Sequence, residues 1–110
     1  MQLELKPLCE LIAIVHTLHN GALYLAGAYP WNPDTLGVIY VGANTFRKGT
    51  LLEDIYPTFL EQYELTFVIE SAALYSVVWN AKNQKPAATI SEIVAAFNHY
   101  YKYDAFMTIE

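Results

Sequence analysis

Apolar side chains near the start of the chain recur every three to four residues, which is the spacing of one helix face. The pattern runs from Leu8 to Leu18, and Pro7 suits the first turn of a helix because its missing N–H is not needed there. Asn20-Gly21 is a typical stop, since glycine accepts the left-handed conformation of a helix end. These features predict a helix over residues 8–20.

A second amphipathic face lies near the other end of the chain. Thr89 and Glu92 have the spacing of a capping box, in which each side chain satisfies a backbone N–H of the other. Apolar residues then recur at helical spacing up to about Lys102. We therefore predict a helix over residues 90–102.

Continuous runs of apolar and β-branched residues between these helices predict strands. The runs cover residues 22–28, 36–41 and 65–69, and the alternating residues 1–6 and 105–109 suit short strands at the two ends.

Residues 51–63 have a helical composition that is interrupted by Pro57. Thr50 and Glu53 have capping-box spacing, so a helix is expected to begin there. Pro57 should kink or end that helix, because an interior proline removes a hydrogen bond and clashes with the preceding turn.

Residues 71–81 are compatible with either a helix or a strand. Ser71-Ala72-Ala73 could open a helix, whereas Val77-Val78-Trp79 favour a strand. We predict an antiparallel hairpin with its turn near Ser71–Ala72. The expected fold of residues 1–110 is then a single α+β domain, with two amphipathic helices packed on one face of a mainly antiparallel sheet of about four to five strands.

The amino-acid composition adds to this predicted fold the expectation of a protein–protein interface. The chain is 55% hydrophobic and 15% charged, whereas an average soluble domain carries about 25% charged residues. A domain of 110 residues cannot bury all of that apolar surface, and contiguous exposed apolar area marks interaction sites. We expect a homodimer or a partner-binding protein; the alternative is that nine Tyr raise the hydrophobic count while their hydroxyls stay in water.

The distribution of charged residues along the chain indicates which class of partner to expect. Between Gly49 and Ala81 the chain has only acidic charged residues, namely Glu53, Asp54, Glu61, Glu64 and Glu70, and the whole net charge of −5 comes from this stretch. Such a face repels itself unless a basic surface meets it, although acids on a helix by default form its solvated side. The acidic balance also argues against direct nucleic-acid binding.

The cysteine content and the hydropathy of the chain indicate its cellular compartment. The single Cys9 excludes an internal disulfide framework and fits a reducing compartment. The apolar stretches are shorter than a membrane span needs, so a cytoplasmic location with no membrane contact is expected.

Two sets of residues are candidates for a site. Tyr29 and Trp31 are held by Pro30 and Pro33 in a turn-rich loop, where an aromatic side chain could be an interface anchor or could fold back on the core. The competing site would be lined by His16, His19, Tyr24 and Tyr40 and would bind a small ligand or perform catalysis.

Metal binding by His16, His19 and His99 is not expected, because the chain has no matched Cys pair and no HExxH-type arrangement. No nucleophile or phosphate-binding motif accompanies these residues either, so neither catalysis nor a cofactor is expected.

The function we expect is that of a small acidic, non-enzymatic inhibitor or adaptor. It would dock on a basic, nucleic-acid-binding protein surface, as immunity, antitoxin and phage anti-defence proteins do. Tyr29, Trp31, Glu53, Asp54, Glu61 and Glu64 are the predicted contact residues. A homodimeric ligand-binding protein or small enzyme is the alternative.

Overall fold

In the described residues, the three apolar runs in the middle of the chain and the short segment Lys6–Pro7 form an antiparallel four-stranded sheet. The computed structural model describes residues 4–18, 20–41, 49 and 51–109. The strands, in sheet order β1-β3-β2-β4, are β1 (Lys6–Pro7), β2 (Gly21–Ala26), β3 (Leu36–Val41) and β4 (Leu65–Glu70). Predictions that involve His19, Thr50 and residues 1–3 lie outside the described residues.

The part of the chain that the structure describes has five α-helices, which lie on the two faces of the sheet. They are α1 (Leu8–Ile14), α2 (Leu52–Ile55), α3 (Pro57–Tyr63), α4 (Ser71–Gln84) and α5 (Ile90–Tyr103). A 3-10 turn, Val15–Thr17, continues α1, so the first α-helix ends earlier than Asn20. The antiparallel α+β fold is thereby confirmed.

The sheet separates two hydrophobic cores, because successive residues of a strand point to opposite faces. Leu23 and Leu25 of β2 face the large core, which contains side chains of α1, α4 and α5. Ala22 and Tyr24 face the small core, which is covered by α2 and α3. Of the two predicted amphipathic helices, α1 lies on the sheet and α5 packs mainly on α4.

A β-bulge interrupts the alternation in β4. Leu23 pairs with Ile69 and Tyr24 pairs with Phe67, so Val68 is the extra residue. As a result Val68 and Ile69 both contribute to the large core, while Phe67 contacts Tyr24 on the opposite face.

The hairpin predicted for residues 71–81 is wrong, because this segment belongs to α4. The buried residues of α4 recur at helical spacing, and they are Ser71, Leu74, Val77, Val78 and Ala81. Packing of this face against the sheet and α5 outweighs the β-propensity of the two valines. The buried hydroxyl of Ser71 accepts a hydrogen bond from the Gly21 N–H at 2.7 Å, which ties the start of α4 to the start of β2.

The strand predicted for residues 105–109 is also wrong. The side chain of Gln84 donates to the Met107 carbonyl at 2.9 Å and accepts from the Ile109 N–H at 2.9 Å. This one amide satisfies backbone groups that a neighbouring strand would otherwise bind, and Met107 and Ile109 pack on the large core.

Two local predictions are confirmed. Thr89 Oγ1 accepts from the Glu92 N–H at 3.2 Å and Glu92 accepts from the Thr89 N–H at 2.9 Å, which is the predicted capping box of α5. Pro57 begins α3, and Tyr56 separates it from α2.

Candidate functional site: an acidic face over the small core

Four acidic side chains lie on the helical layer that covers the small core. Glu53 and Asp54 are in the first turn of α2, where the helix dipole favours negative charge. Glu61 lies in α3, and Glu64 caps its end in the left-handed conformation with φ of 54°. All four are exposed. We call these four residues the acidic face.

A buried tyrosine positions the start of α2. The Tyr24 hydroxyl donates to Glu53 Oε2 at 2.7 Å and accepts from the Leu52 N–H at 3.1 Å. Burial of this hydroxyl raises the pKa of Tyr24 well above its usual value, and the Glu53 hydrogen bond raises it further. Asp54 also accepts from the Leu51 N–H at 3.3 Å. Glu53 and Asp54 are therefore structural as well as exposed.

Exposed apolar side chains accompany the acids on this layer. Ile55 of α2 is 44% exposed and Tyr63 of α3 is 40% exposed. Phe67 is 39% exposed, and its ring contacts Tyr24 edge-to-face on the same side of the sheet. Protein interfaces usually combine apolar and polar side chains on one surface.

The basic residues of the described ranges lie elsewhere. Lys82 is on α4, Lys85 follows the end of α4 and Lys102 is on α5, all on the large-core side of the sheet, and Lys6 is in the edge strand β1. The elements α2, α3 and β4 contain no Lys or Arg. Glu10 of α1 and Glu92 of α5 accompany these lysines, so the large-core side carries both signs of charge, whereas α2, α3 and β4 carry only acids.

The structure places Trp31 in the large core, which is the second of the two alternatives for this residue. It is 6% exposed and contacts Phe97 and Tyr101 of α5. Asn98 holds the loop, because its side chain accepts from the Trp31 N–H at 3.0 Å and donates to the Trp31 carbonyl at 2.8 Å. Tyr29 remains 38% exposed and stacks on Tyr101.

The predicted contact residues consequently fall on two surfaces. Tyr29 and Trp31 pack against α5, on the large-core side, whereas the acidic face covers the small core. The sheet lies between them, so the structure does not bring the aromatic anchors and the acids together.

The competing histidine and tyrosine site is not assembled by the described residues. Tyr24 and Tyr40 belong to the small core, whereas His16 lies beside α4 on the large-core side. His19 is outside the described residues. His99 contacts the ring of Tyr103 in α5. Across the described ranges, no group of three or more His, Cys, Asp or Glu could hold a metal ion.

The sequence pattern did not predict one surface feature, a groove. A groove between α1 and α4 is lined by side chains that include His16, Trp79 and Lys82. The helical spacing of Tyr75, Trp79 and Lys82 is visible in the sequence, but the hairpin predicted for residues 71–81 concealed it. Of the helices that the structure describes, none is both long and apolar enough to cross a bilayer.

The fold and its surfaces define a small α+β domain with an acidic helical layer on one face of an antiparallel sheet. The chain belongs to the family described as a domain of unknown function (DUF7716), whose model matches residues 6–109. No curated protein and no solved structure matches the chain.

Proposed function

We propose that the domain is a non-enzymatic protein-binding module whose acidic face docks on a basic surface of a partner protein. The supporting observation is that four exposed acids lie on one helical layer and that exposed apolar side chains of α2, α3 and β4 lie on the same side of the sheet. A nucleic-acid-binding surface is the natural class of partner, because it presents clustered Lys and Arg. The module would then act as an inhibitor or adaptor, in the manner of immunity, antitoxin or anti-defence proteins.

Charge and apolar area have different roles in this proposal. The acids accelerate association and exclude acidic partners, because complementary potentials steer diffusional encounter. Desolvation of Ile55, Tyr63 and Phe67 supplies the affinity that survives at high ionic strength. Lys82, Lys85 and Lys102 lie on the other side of the sheet, so they do not neutralise the acidic face within the chain.

Tyr29 belongs to a second surface in this proposal. Its stack on Tyr101 fixes both rings, so their exposed faces lose little conformational freedom on binding. We assign the expected self-association of the chain to this surface, which leaves the acidic face open to the partner. The encounter takes place in the cytoplasm, as the single Cys9 suggests.

Comparative affinity capture from the native host tests the proposal. The baits are the wild-type chain, a Glu61→Lys/Glu64→Lys variant and a control variant with the same charge change, Glu4→Lys/Glu10→Lys. We expect a basic protein that is captured by the wild type and the control and is lost with the Glu61/Glu64 variant, as quantified by mass spectrometry. Equal capture by all three baits would remove the acidic face from the proposal.

A further inference from the structure

The groove between α1 and α4 is a site that the acidic-face proposal does not use. Its volume is about 170 Å³. Ile12, Val15 and Val78 are buried residues that line it. The rings of Tyr75 and Trp79, one helical turn apart on α4, also line it. The groove is therefore an apolar trough with aromatic side chains at its edge.

Trp79 is the most exposed of the large hydrophobic side chains in the described residues, at 59%. An indole ring in water at the edge of an apolar trough offers a flat surface on which another ring can stack. Tyr75, which is 37% exposed, adds a second aromatic surface on the same side of α4. Both features favour a planar apolar group as the occupant.

The polar groups of the groove specify the charge of the occupant. Lys82 and His16 line it, and both offer N–H donors. Among the described lining residues there is no Asp or Glu, although the chain as a whole has eleven acidic and six basic residues. The lining is thus opposite in sign to the net charge of the protein, which favours an anion.

The size of the groove limits the occupant to a small molecule. Pockets for drug-sized ligands have volumes of about 300–1,000 Å³, whereas this one is about 170 Å³. We propose that the groove binds a small monocyclic aromatic anion, whose ring stacks on Trp79 and whose anionic group contacts Lys82 and His16. This site is independent of the acidic face, which lies on the other side of the sheet.

Titration of the ¹⁵N-labelled chain with benzoate, followed by NMR, tests this site. The chain has two tryptophans, and a Trp79→Phe variant assigns their indole N–H signals. We expect benzoate to shift the Trp79 signal saturably with a Kd of about 1 mM, as suits so small a ligand. The Trp31 signal should not move. Benzamide, which has the same ring without the charge, should bind about tenfold more weakly.

Two variants and a matched control define the roles of the side chains. Trp79→Ala should abolish saturable binding, which is followed through the backbone signals of α4. Lys82→Met keeps the aliphatic stem but removes the charge, so it should bind benzoate no better than benzamide. Lys102→Met removes a lysine from α5, outside the groove, and should bind both probes as the wild type does.

Three results of these titrations would overturn the assignment. They are the absence of a saturable shift with benzoate, equal affinity for benzoate and benzamide, and retention of benzoate affinity by the Lys82→Met variant. A Trp79 signal that moves on dilution of the protein without any probe would show that a second copy of the chain occupies the groove, and this also contradicts a small-anion site.

Discussion

The hydroxyl of Tyr24 lies 2.7 Å from Glu53 Oε2 and 3.1 Å from the Leu52 backbone nitrogen. The Tyr24 side chain therefore joins the inner strand β2 to the first turn of α2. Its ring is fully buried in the small core, so the position of that turn is set by packing as well as by hydrogen bonding. The part of the acidic face on α2 consequently depends on a residue whose side chain is buried in the small core.

Tyr24→Phe should lower the free energy of unfolding by about 1–2 kcal/mol, because the buried Leu52 N–H loses its acceptor. Urea denaturation measures the change. Tyr63→Phe is the matched control, because Tyr63 is 40% exposed, and it should change stability by less than about 0.5 kcal/mol. Equal stability of Tyr24→Phe and the wild type would mean that the hydroxyl does not hold α2.

Asn98 joins α5 to the aromatic loop through both backbone polar groups of Trp31. Asn98→Ala should cost about 2 kcal/mol, because it leaves a backbone N–H and a carbonyl without partners at a part-buried position. Asn98→Asp keeps the acceptor but not the donor, so its free energy of unfolding should lie between those of Asn98→Ala and the wild type. Urea denaturation is again the measurement.

Asn80→Ala is the control for this prediction. Among the described residues, the Asn80 side chain accepts one hydrogen bond, an exposed one from the Gln84 side chain, so its loss should cost less than about 0.5 kcal/mol. If Asn98→Ala were no more destabilising than Asn80→Ala, the loop would be held by ring packing alone.

Glu92 should make the stability of the domain depend on pH in the acid range. The hydrogen bond from Lys85 and the Thr89 N–H lower the pKa of Glu92 to about 2. A carboxyl with a depressed folded-state pKa stabilises the fold above its unfolded pKa of about 4.3, and this stabilisation is lost as the pH falls toward 2. Thermal denaturation of the wild type and Glu92→Gln at several pH values should show a difference that is largest near neutrality and narrows in acid.

Lys85→Met separates the two causes of this pKa shift. It removes the lysine hydrogen bond but leaves the Thr89 N–H, so its pH dependence should lie between those of the wild type and Glu92→Gln. A constant difference between the wild type and Glu92→Gln from neutral to acid pH would contradict the assigned pKa.

Local signals in the sequence were sufficient for several elements of the fold. The run of residues 36–41 coincides with β3, and Thr89 with Glu92 marks the start of α5 because a capping box uses only neighbouring residues. Pro57 marks the break between α2 and α3 for the same kind of local reason. Where interactions between neighbouring residues determine the backbone conformation, the sequence alone predicts the position of the element.

The parts of the fold that could not be predicted depend on packing between residues that are far apart in the chain. The Val77-Val78-Trp79 run has β-propensity, yet its helical form buries both valines and leaves Trp79 exposed. The Asn98–Trp31 contact joins positions 67 residues apart, and the bulge at Val68 depends on its pairing with β2. The burial of Trp31 and the separation of Tyr29 from the acids follow from such contacts, which spacing along the chain does not reveal.

The acidic face makes a prediction about ionic strength once a partner has been captured. Glu61 and Glu64 are exposed, and no hydrogen bond of their side chains holds the fold in the described residues, so their reversal should spare stability. Glu61→Lys/Glu64→Lys should weaken partner binding roughly tenfold at low salt, mainly through slower association, because complementary charge steers encounter. Salt screens exposed charges, so the affinity of the wild type should fall steeply with ionic strength and that of the variant should not. Stopped-flow association rates at several salt concentrations measure both effects, with Glu4→Lys/Glu10→Lys as the control for net charge. A control that slows association as much as the Glu61/Glu64 variant would show that the net charge of the chain, and not this face, governs the encounter.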